Sequence, residues 1–294
     1  MRNMRAMTIA FLGTGLIGAG LVEAALGRGE QVTVWNRSLD KAKALEAKGA
    51  RVAESPAAAV RGATRVHLAL SDDAAVNGVV ELMRASLEPE ALVIDHTTTQ
   101  PEATAARAAD CAQRGVALLH APVFMSPAMC REAKGMMLCA GPEALFQKAE
   151  AWLGQMTGKV WYLGERSDLA AAYKLFGNAI IVTLSAGLSD VLSIAAAMKI
   201  SPEDALGLFD RFNPGETIPL RGARMARGEF SQTSFALAMA RKDVRLMLET
   251  AGDLPLAVLP GIAARMDQLI AAGRGEDDMG VMAVDALARA RSEG

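Results

Sequence analysis

A glycine-spaced hexapeptide near the N-terminus constrains the fold of this 294-residue chain more than any other feature. Residues 13–18 read Gly-Thr-Gly-Leu-Ile-Gly, directly after an apolar run at 7–12 and directly before a stretch at 19–26 that suits a helix. A strand, a glycine turn and a helix in this order open a parallel sheet, and the free N–H groups of the helix end are suited to bind phosphate. The placement of the motif therefore predicts a dinucleotide site.

Each glycine of the motif has its own predicted role. Gly13 permits the tight turn, Gly15 lets the backbone approach a pyrophosphate, and Gly18 lets the helix pack on the strand. The residues between them are predicted to contact the same cofactor: Thr14, Leu16 and Ile17. The alternative is a glycine turn that binds nothing.

The end of the second predicted strand indicates which dinucleotide is bound. An NAD site normally offers a carboxylate about 20 residues after the glycines, to hold the ribose 2′-hydroxyl. Here the chain reads Trp35, Asn36, Arg37, Ser38. An arginine can bind a 2′-phosphate through two hydrogen bonds, so NADP is favoured, with NAD possible. The alternative is that Arg37 is an ordinary solvated charge at a helix start.

Short apolar runs alternate with helical stretches through residue 163, which is the rhythm of a parallel sheet. The predicted strands are 7–12, 31–35, 65–70, 91–95 and 116–120, and two further runs at 136–140 and 159–163 would extend the sheet. Ser38 and Ser55 are predicted to cap helices, the second of them before a proline at the first helical position. The fold class is therefore α/β, a Rossmann-type, doubly wound and mostly parallel sheet.

The second half of the chain lacks alternating runs and is predicted to be all-α. Helices are expected at 167–199, 202–210, 233–251, 258–272 and 279–291. We place the domains at 1–165 and 166–294, with the first long helix joining them. The stretch 179–200 is long enough to span a bilayer, but Asp190 and several hydroxyl side chains interrupt it. A charge near mid-membrane is costly, so a buried helix of a soluble protein is expected instead.

Composition excludes several classes of function. The chain has 31 basic and 33 acidic residues, so it lacks the positive excess that nucleic-acid binding requires. Its three cysteines form neither a disulfide framework nor a metal-ligand pattern, which favours a reducing cytoplasmic setting. With three histidines and no HExxH or CxxC motif, no metal site is expected. The many apolar helices of the second half predict self-association.

Lys174 and Asn178 are the candidate catalytic pair. They lie four residues apart, on one face of the long helix, and can address one ligand together. A lysine in an apolar stretch is desolvated, which lowers its pKa and suits it to exchange protons near neutral pH. The alternative is a surface lysine whose apolar stem covers its neighbours.

Five motifs, in register over most of the chain, resemble those of the β-hydroxyacid dehydrogenase family. They are the glycine loop with residues 34–38, the segment Asp-His-Thr-Thr-Thr-Gln-Pro at 95–101, Ala-Pro-Val at 121–123, the pair Lys174 and Asn178, and Lys242 with Asp243. This family is part of the 6-phosphogluconate dehydrogenase superfamily. It includes 3-hydroxyisobutyrate dehydrogenase, tartronate semialdehyde reductase and glyoxylate/succinic semialdehyde reductase.

The resemblance implies hydride transfer between the nicotinamide and a small 3-hydroxy acid, semialdehyde or related carbonyl compound. It assigns Lys174 as general acid/base and Asn178 as the residue that orients the substrate. The resemblance also implies a homodimer or homotetramer. The residues expected to contact the cofactor are Thr98 beside the nicotinamide, the backbone at Leu70, Ser71 and Asp72, and Lys242.

The chain departs from that family at the substrate loop. The family follows Ala-Pro-Val with a serine and two glycines that bind a carboxylate, whereas this chain has Phe124, Met125 and Ser126. The two large side chains are expected to narrow the pocket or make it more apolar, and Ser126 either replaces the lost serine or begins the next turn. His120 replaces an aspartate and is expected to be structural. The reaction type is therefore better supported than the acid substrate.

Three other functions share some of these features. A short-chain dehydrogenase needs a lysine four residues after a tyrosine, and neither tyrosine has one. An imine reductase shares the architecture and has a more apolar pocket, but commonly lacks the lysine. A catalytically silent NADP-binding sensor would bind the cofactor without turnover.

Overall fold

The computed structural model describes residues 8–292. The chain divides into two compact units, Met1–Asn178 and Ala179–Gly294, which are described in turn. The predicted start of the first strand, Met7, lies outside the described residues.

The first unit contains a six-stranded parallel sheet. Its strands are β1 (Thr8–Leu12), β2 (Gln31–Trp35), β3 (Arg51–Val52), β4 (Ala63–Leu68), β5 (Leu92–Asp95) and β6 (Ala117–His120). Their order across the sheet is β3-β2-β1-β4-β5-β6, which is the Rossmann order. The predicted fold class is confirmed. Only the two-residue strand β3 escaped prediction, because so short a run carries no periodic signal.

Helices pack on both faces of this sheet. The helices of the first unit are α1 (Leu16–Gly27), α2 (Leu39–Glu46), α3 (Pro56–Val60), α4 (Asp73–Met83), α5 (Pro101–Gln113), α6 (Pro127–Arg131) and α7 (Glu143–Leu153). Neighbouring strand residues point to opposite faces, so Ile9 and Phe11 join one buried cluster while Ala10 and Leu12 join another. Burial on both faces explains why these strands are apolar throughout.

The two later strands do not extend the main sheet, which corrects the prediction. β7 (Val123–Phe124), β8 (Met136–Cys139) and β9 (Lys159–Tyr162) form a separate sheet, in which β7 and β8 are antiparallel and β8 and β9 parallel. Only an isolated bridge between His120 and Ala140 joins β6 to this segment. Ala121 still donates its N–H to the Asp95 carbonyl of β5, and β7 begins two residues later in the second sheet.

One of the two predicted helix caps is confirmed. The Ser55 hydroxyl accepts a hydrogen bond from the Ala58 N–H at 3.1 Å, at the start of α3. Ser38 precedes α2, but its side chain makes no capping bond. Its carbonyl instead accepts hydrogen bonds from Lys41 N and Asn36 Nδ2, so the backbone of Ser38 organises this turn.

A thirty-residue helix, α8 (Asp168–Ala197), carries the chain from the first unit into the second. The second unit continues with α9 (Pro202–Leu206), α10 (Thr217–Arg227), α11 (Leu237–Ala251), α12 (Leu259–Ala271) and α13 (Val284–Ser292). Its described residues form helices and turns without a strand, as expected. Prediction missed α10, whose interior contains Pro219 and Gly222, residues that disfavour helix.

Asp278 organises the core of the second unit. Its carboxylate accepts hydrogen bonds from the N–H groups of Ser234, Phe235 and Gly280, and from the Ser234 hydroxyl at 2.7 Å. Burial acts to raise the pKa of Asp278, but these hydrogen bonds hold it well below the usual range of a carboxyl.

The apolar helix α8 is not buried as expected. Among the described residues it is the one helix that is long and apolar enough to cross a membrane, and only 11% of its most apolar window is buried. Its exposed side chains include Phe176, Ile180, Ile181, Val182, Leu184 and Leu188. The expectation of a buried helix is therefore wrong for the single chain, because the side chains that carry the apolar signal point outward.

Candidate active site

The glycine loop between β1 and α1 is built as its spacing predicts. Gly13 has a φ of +100°, and a Cβ on it would lie 2.2 Å from the carbonyl oxygen of Ala69. A Cβ on Gly18 would lie 2.0 Å from the carbonyl oxygen of Gly13. A Cβ on Gly15 would meet nothing within 4 Å. Two of the glycines are therefore required by the fold, and the third keeps an open approach to the helix N-terminus.

Thr14 links this loop to the end of β2. Its N–H donates to Asn36 Oδ1 at 3.0 Å, and Asn36 Nδ2 donates to the carbonyl oxygen of Ser38 at 3.0 Å. The Thr14 hydroxyl is buried without a hydrogen-bond partner. A buried polar group of this kind is costly unless a ligand satisfies it. The open glycine and the unsatisfied hydroxyl together fit a bound pyrophosphate.

The nucleotide cavity, of about 440 Å³, opens beside this loop. It is lined by Gly13, Gly15, residues 35–38, Lys41, residues 69–71 and several small residues of α4. Arg37 is exposed at this cavity, as its predicted role requires. Lys41 also lines it and was missed by prediction. The sequence contained a signal for this residue. Lys41 lies in the first turn of α2, where the helix dipole disfavours a cation, so a lysine there indicates a negatively charged ligand.

Ser71 and Asp72 have different places beside this cavity. Ser71 lines it, and its hydroxyl donates to Asp72 Oδ2 at 2.8 Å. Asp72 is not among the lining residues and caps α4 by accepting the Ala75 N–H at 2.8 Å. The Ala75 N–H and the Ser71 hydroxyl lower the pKa of Asp72, and the nearby Arg37 charge lowers it further. The Asp72 side chain therefore caps α4, and the predicted contact of its backbone with the cofactor stays a prediction.

A second cavity, of about 410 Å³, shares Gly15 and residues 69–71 with the first and is called the lysine cavity below. It is lined by residues 15–18, residues 69–71, His96, Thr97, Thr98, Val123, Met125 and Lys174. The structure thus brings together side chains that are far apart in sequence, at the carboxyl ends of the parallel strands. This is the edge at which open α/β sheets bind their ligands.

Lys174 lies in the wall of the lysine cavity. Its Nζ donates to the carbonyl oxygen of Val123 at 2.7 Å and lies 4.1 Å from the centre of the Phe124 ring. The side chain is half-buried, and burial lowers the pKa of its amine. The carbonyl and the ring hold the amine in place, while partial burial makes it a better proton donor than a solvated lysine.

The three residues of the predicted substrate loop separate into different roles. Met125 lines the lysine cavity, whereas Phe124 and Ser126 do not. The Phe124 ring packs beside Gly177 of α8, where a Cβ would lie 2.3 Å from the ring's Cζ. The Ser126 hydroxyl accepts the Met129 N–H at 3.2 Å and so begins α6. Of the two interpretations of Ser126, the structure supports the one in which it starts a turn.

Thr97 positions one wall of the lysine cavity and was missed by prediction. Its Oγ1 accepts the Leu70 N–H at 3.0 Å, and its own N–H donates to Asp95 Oδ1 at 2.9 Å. Burial acts to raise the pKa of Asp95, but His120 and the Thr97 bonds hold it below its ordinary value. His120 Nδ1 and Arg107 each lie 3.7 Å from Asp95 Oδ2. The fully buried His120 thus belongs to the support of this wall, as expected.

His96 lies in the cavity as a neutral ring. Its Nδ1 donates to the carbonyl oxygen of Ala121 at 2.7 Å, and its Nε2 then accepts from His67 Nδ1 at 2.9 Å. A carbonyl oxygen can only accept, which fixes these donor roles. Burial lowers the pKa of both histidines. Neither ring is therefore suited to carry a charge into the cavity.

Comparison with known proteins identifies the family. The sequence profile of the NAD binding domain of 6-phosphogluconate dehydrogenase matches residues 8–164, more than half of the chain. The chain belongs to this family. The first unit of this 6-phosphogluconate dehydrogenase family member is therefore an NAD(P)-binding domain, as the glycine motif predicts. The relatives and structural neighbours agree with an NAD(P)-dependent oxidoreductase fold.

Two relatives illustrate the similarity in sequence. The uncharacterized oxidoreductase YfjR of Bacillus subtilis is 28% identical over 260 residues, which cover 86% of this chain and 91% of the relative. The cytokine-like nuclear factor N-PAC of Homo sapiens is 26% identical over 247 residues. That match covers 82% of this chain but only 44% of N-PAC, so the chain spans less than half of that relative.

Solved structures share the fold over almost the whole chain. A reductive aminase from Aspergillus terreus, in complex with NADPH4, cyclohexanone and allyl amine, matches with a TM-score of 0.85 and 21% identity. The match covers 96% of this chain and 99% of that one. An imine reductase from Myxococcus stipitatus in complex with NADP+ also gives 0.85 and 21%, covering 94% and 98%.

Asn178 and Lys242 are two of the predicted site residues that do not line either cavity. Asn178 lies one turn after Lys174 on α8, as its spacing requires. Lys242 lies on α11 in the second unit, where its exposed side chain pairs with Asp243 at 2.7 Å. The roles of both remain predictions. Among residues 8–292 no group of three histidine, cysteine or acidic side chains is placed to hold a metal.

Proposed function

We propose that this protein is an NADP-preferring oxidoreductase that interconverts a small carbonyl compound and the corresponding alcohol. The family resemblance suggests a 3-hydroxy acid or semialdehyde as the substrate, or a related carbonyl compound. One observation carries the proposal: the half-buried amine of Lys174 lines the same cavity as the open glycine loop and Thr98. Lys174 is the proposed general acid/base.

The residues of the first unit fit the proposed cofactor. Gly15 and the Thr14 hydroxyl would hold the pyrophosphate, and the basic pair Arg37 and Lys41 would hold a 2′-phosphate. Thr98 would lie beside the nicotinamide. When bound, NADPH supplies the hydride that is transferred to the carbonyl carbon.

The proposed task of Lys174 is to move one proton. In reduction its amine gives a proton to the carbonyl oxygen, and in oxidation the neutral amine takes the proton of the alcohol. The Val123 carbonyl holds the nitrogen at the cavity wall, and the burial that lowers its pKa favours release of the proton. Asn178, on the same helix face, would orient the substrate. General acid catalysis contributes about 10²- to 10⁴-fold to rate.

The exposed apolar side chains of α8 support the proposal that the protein is a homodimer or homotetramer. Exposed apolar patches commonly mark an interface between subunits. Lys242 is the proposed further contact of the cofactor.

An imine reductase is the second candidate function. Met125 and the apolar residues of the glycine loop line the lysine cavity, which favours a substrate less polar than a hydroxy acid. A silent NADP-binding sensor would show tight cofactor binding and no turnover.

NADPH consumption with glyoxylate, succinic semialdehyde and a cyclic imine separates these functions. The proposal expects turnover of a carbonyl compound by the wild type. It expects a loss of at least about 100-fold in Lys174→Ala with an unchanged NADPH dissociation constant. Lys134→Ala, which removes an exposed lysine paired with Glu132, is the matched control and should keep full activity. Turnover of the imine alone would support the second candidate, and no turnover would support the sensor.

A further inference from the structure

The lysine cavity offers little that could hold a second charged group of a substrate. Among the described residues that line it, Lys174 is the only charged side chain. His96 is neutral, and both of its ring nitrogens are hydrogen-bonded. The side chains of Leu16, Ile17 and Met125 are apolar.

Most hydroxyl groups of this cavity are already engaged. The Ser71 hydroxyl gives its proton to Asp72, and the Thr97 hydroxyl accepts the Leu70 N–H and donates to Asp95. The Ser126 hydroxyl does not reach the cavity, because it caps α6. Thr98 is exposed and has its proposed place beside the nicotinamide.

Lys174 cannot serve two anionic atoms at once. In reduction its proton goes to the carbonyl oxygen, and its remaining donors are directed by the Val123 carbonyl and the Phe124 ring. A substrate carboxylate bound to the same amine would hold the amine protonated and so oppose transfer of the proton. A carboxylate bound elsewhere against the apolar residues would lose its hydration without gaining a partner.

We propose that the substrate is an uncharged ketone or aldehyde with an apolar substituent, and that Phe124 is the residue that sets this preference. The inference rests on the proposed function. In the reaction, NADPH gives a hydride to the carbonyl carbon, the C=O π bond breaks, and Lys174 gives a proton to the oxygen. The products are the alcohol and NADP+, and water returns a proton to the amine.

Phe124 sets the preference through its position beside the amine. Its ring fills the space next to Lys174 Nζ, where a polar side chain would be within reach of a substrate carboxylate. Gly177 is the matching residue on α8, because any Cβ there would overlap the ring. Phe124 does not itself line the cavity, so it acts through the amine: the pair holds an apolar ring against Lys174, the one cation among the described lining residues.

The test is a comparison of succinic semialdehyde with its methyl ester, which has the same aldehyde without the charge. The inference expects kcat/KM with NADPH to be at least about tenfold higher for the ester. Equal or higher kcat/KM for the acid would overturn it while leaving the proposed function intact. If the enzyme consumes NADPH with neither of these substrates and with no other carbonyl compound of the panel, the proposed function is overturned and this inference with it.

Variants of Phe124 test whether it is responsible. Phe124→Ser adds a hydroxyl beside the amine and should lower the ester-to-acid ratio by about tenfold, which is the effect of one hydrogen bond to a charged group. Phe124→Leu, the matched apolar control, should keep the wild-type ratio while lowering kcat. An unchanged ratio in Phe124→Ser would remove Phe124 from this role. Wild-type affinity for NADPH would confirm that both variants fold. If a variant does not fold, the ester-to-acid ratio of the wild type still decides the substrate class.

Discussion

A methyl group at Gly177 tests whether the Phe124 ring is held as tightly against α8 as the geometry indicates. In Gly177→Ala the new Cβ would lie 2.3 Å from Phe124 Cζ and 2.6 Å from Cε1. Non-bonded carbons prefer a separation of about 3.5–4.0 Å, so the overlap exceeds about 1 Å. The ring must therefore move, and the contact of the ring with Lys174 Nζ must change with it.

Two opposing effects determine how much Gly177→Ala changes the free energy of unfolding. Alanine in a helix interior is about 1 kcal/mol more favourable than glycine, whereas overpacking a buried site costs about 1–3 kcal/mol. Because the overlap is large, we expect a net loss of about 1–2 kcal/mol in the free energy of unfolding. Gly78→Ala is the matched control, since Gly78 is an exposed residue inside α4 and its Cβ would meet nothing within 4 Å. That variant should gain up to about 1 kcal/mol.

Urea unfolding of the two variants, without cofactor, measures this difference. The double variant Phe124→Ala/Gly177→Ala should be more stable than the sum of the single effects, because removal of the ring also removes the overlap. Gly177→Ala should in addition lower kcat with little change in NADPH affinity. If Gly177→Ala stabilises the protein as much as Gly78→Ala does, the packing described for Phe124 is wrong.

Three further predictions concern the cofactor, pH and assembly. Arg37→Ala and Lys41→Ala should each raise the dissociation constant of NADPH more than that of NADH, measured by fluorescence titration; equal effects would contradict the 2′-phosphate site. The pKa of Asp278 is lowered in the folded protein, so its contribution to stability is complete above the pKa of the unfolded chain, near 4, and is lost as pH falls below that value. Asp278→Asn should therefore reduce stability at pH 7 and flatten its fall between pH 4 and pH 2 in urea unfolding; an unchanged slope would refute this. Light scattering should show an oligomer at micromolar concentration. Ile181→Asp, on the exposed face of α8, should weaken the association of the subunits. A monomeric wild type would count against the interface.

The sequence was most informative where the chain repeats a simple period. The alternation of buried runs and helices predicted the six-stranded sheet, apart from the two-residue strand Arg51–Val52. The glycine spacing predicted the loop because Gly13 and Gly18 each have a steric reason and Gly15 leaves the helix N-terminus open. The sheet that the strands at 136–140 and 159–163 join was not predictable, because the periodicity of a strand does not indicate its neighbours.

Sequence reasoning found two charged residues of the candidate site but missed Lys41 and the residues that support the site. Lys174 was found because it lies in an apolar stretch, and Arg37 because it follows the second strand at the place where an NAD site has a carboxylate. Thr97 and Gly177 were missed because their roles depend on contacts with Leu70 and Phe124, which are distant in sequence. Phe124 was expected to narrow the pocket or make it more apolar; its contact with the lysine was not predictable, because it depends on the direction of the side chain.

The central claim is that the Lys174 amine gives the proton in carbonyl reduction. Its direct test is the pH dependence of kcat for reduction, measured at saturating NADPH in the wild type and in Lys174→Ala. Because burial lowers the pKa of this amine, wild-type kcat should fall as pH rises through a value below the ordinary lysine pKa. The variant should lose that titration, and added methylamine should restore part of its rate. A variant that keeps both the rate and the same pH profile would contradict the account.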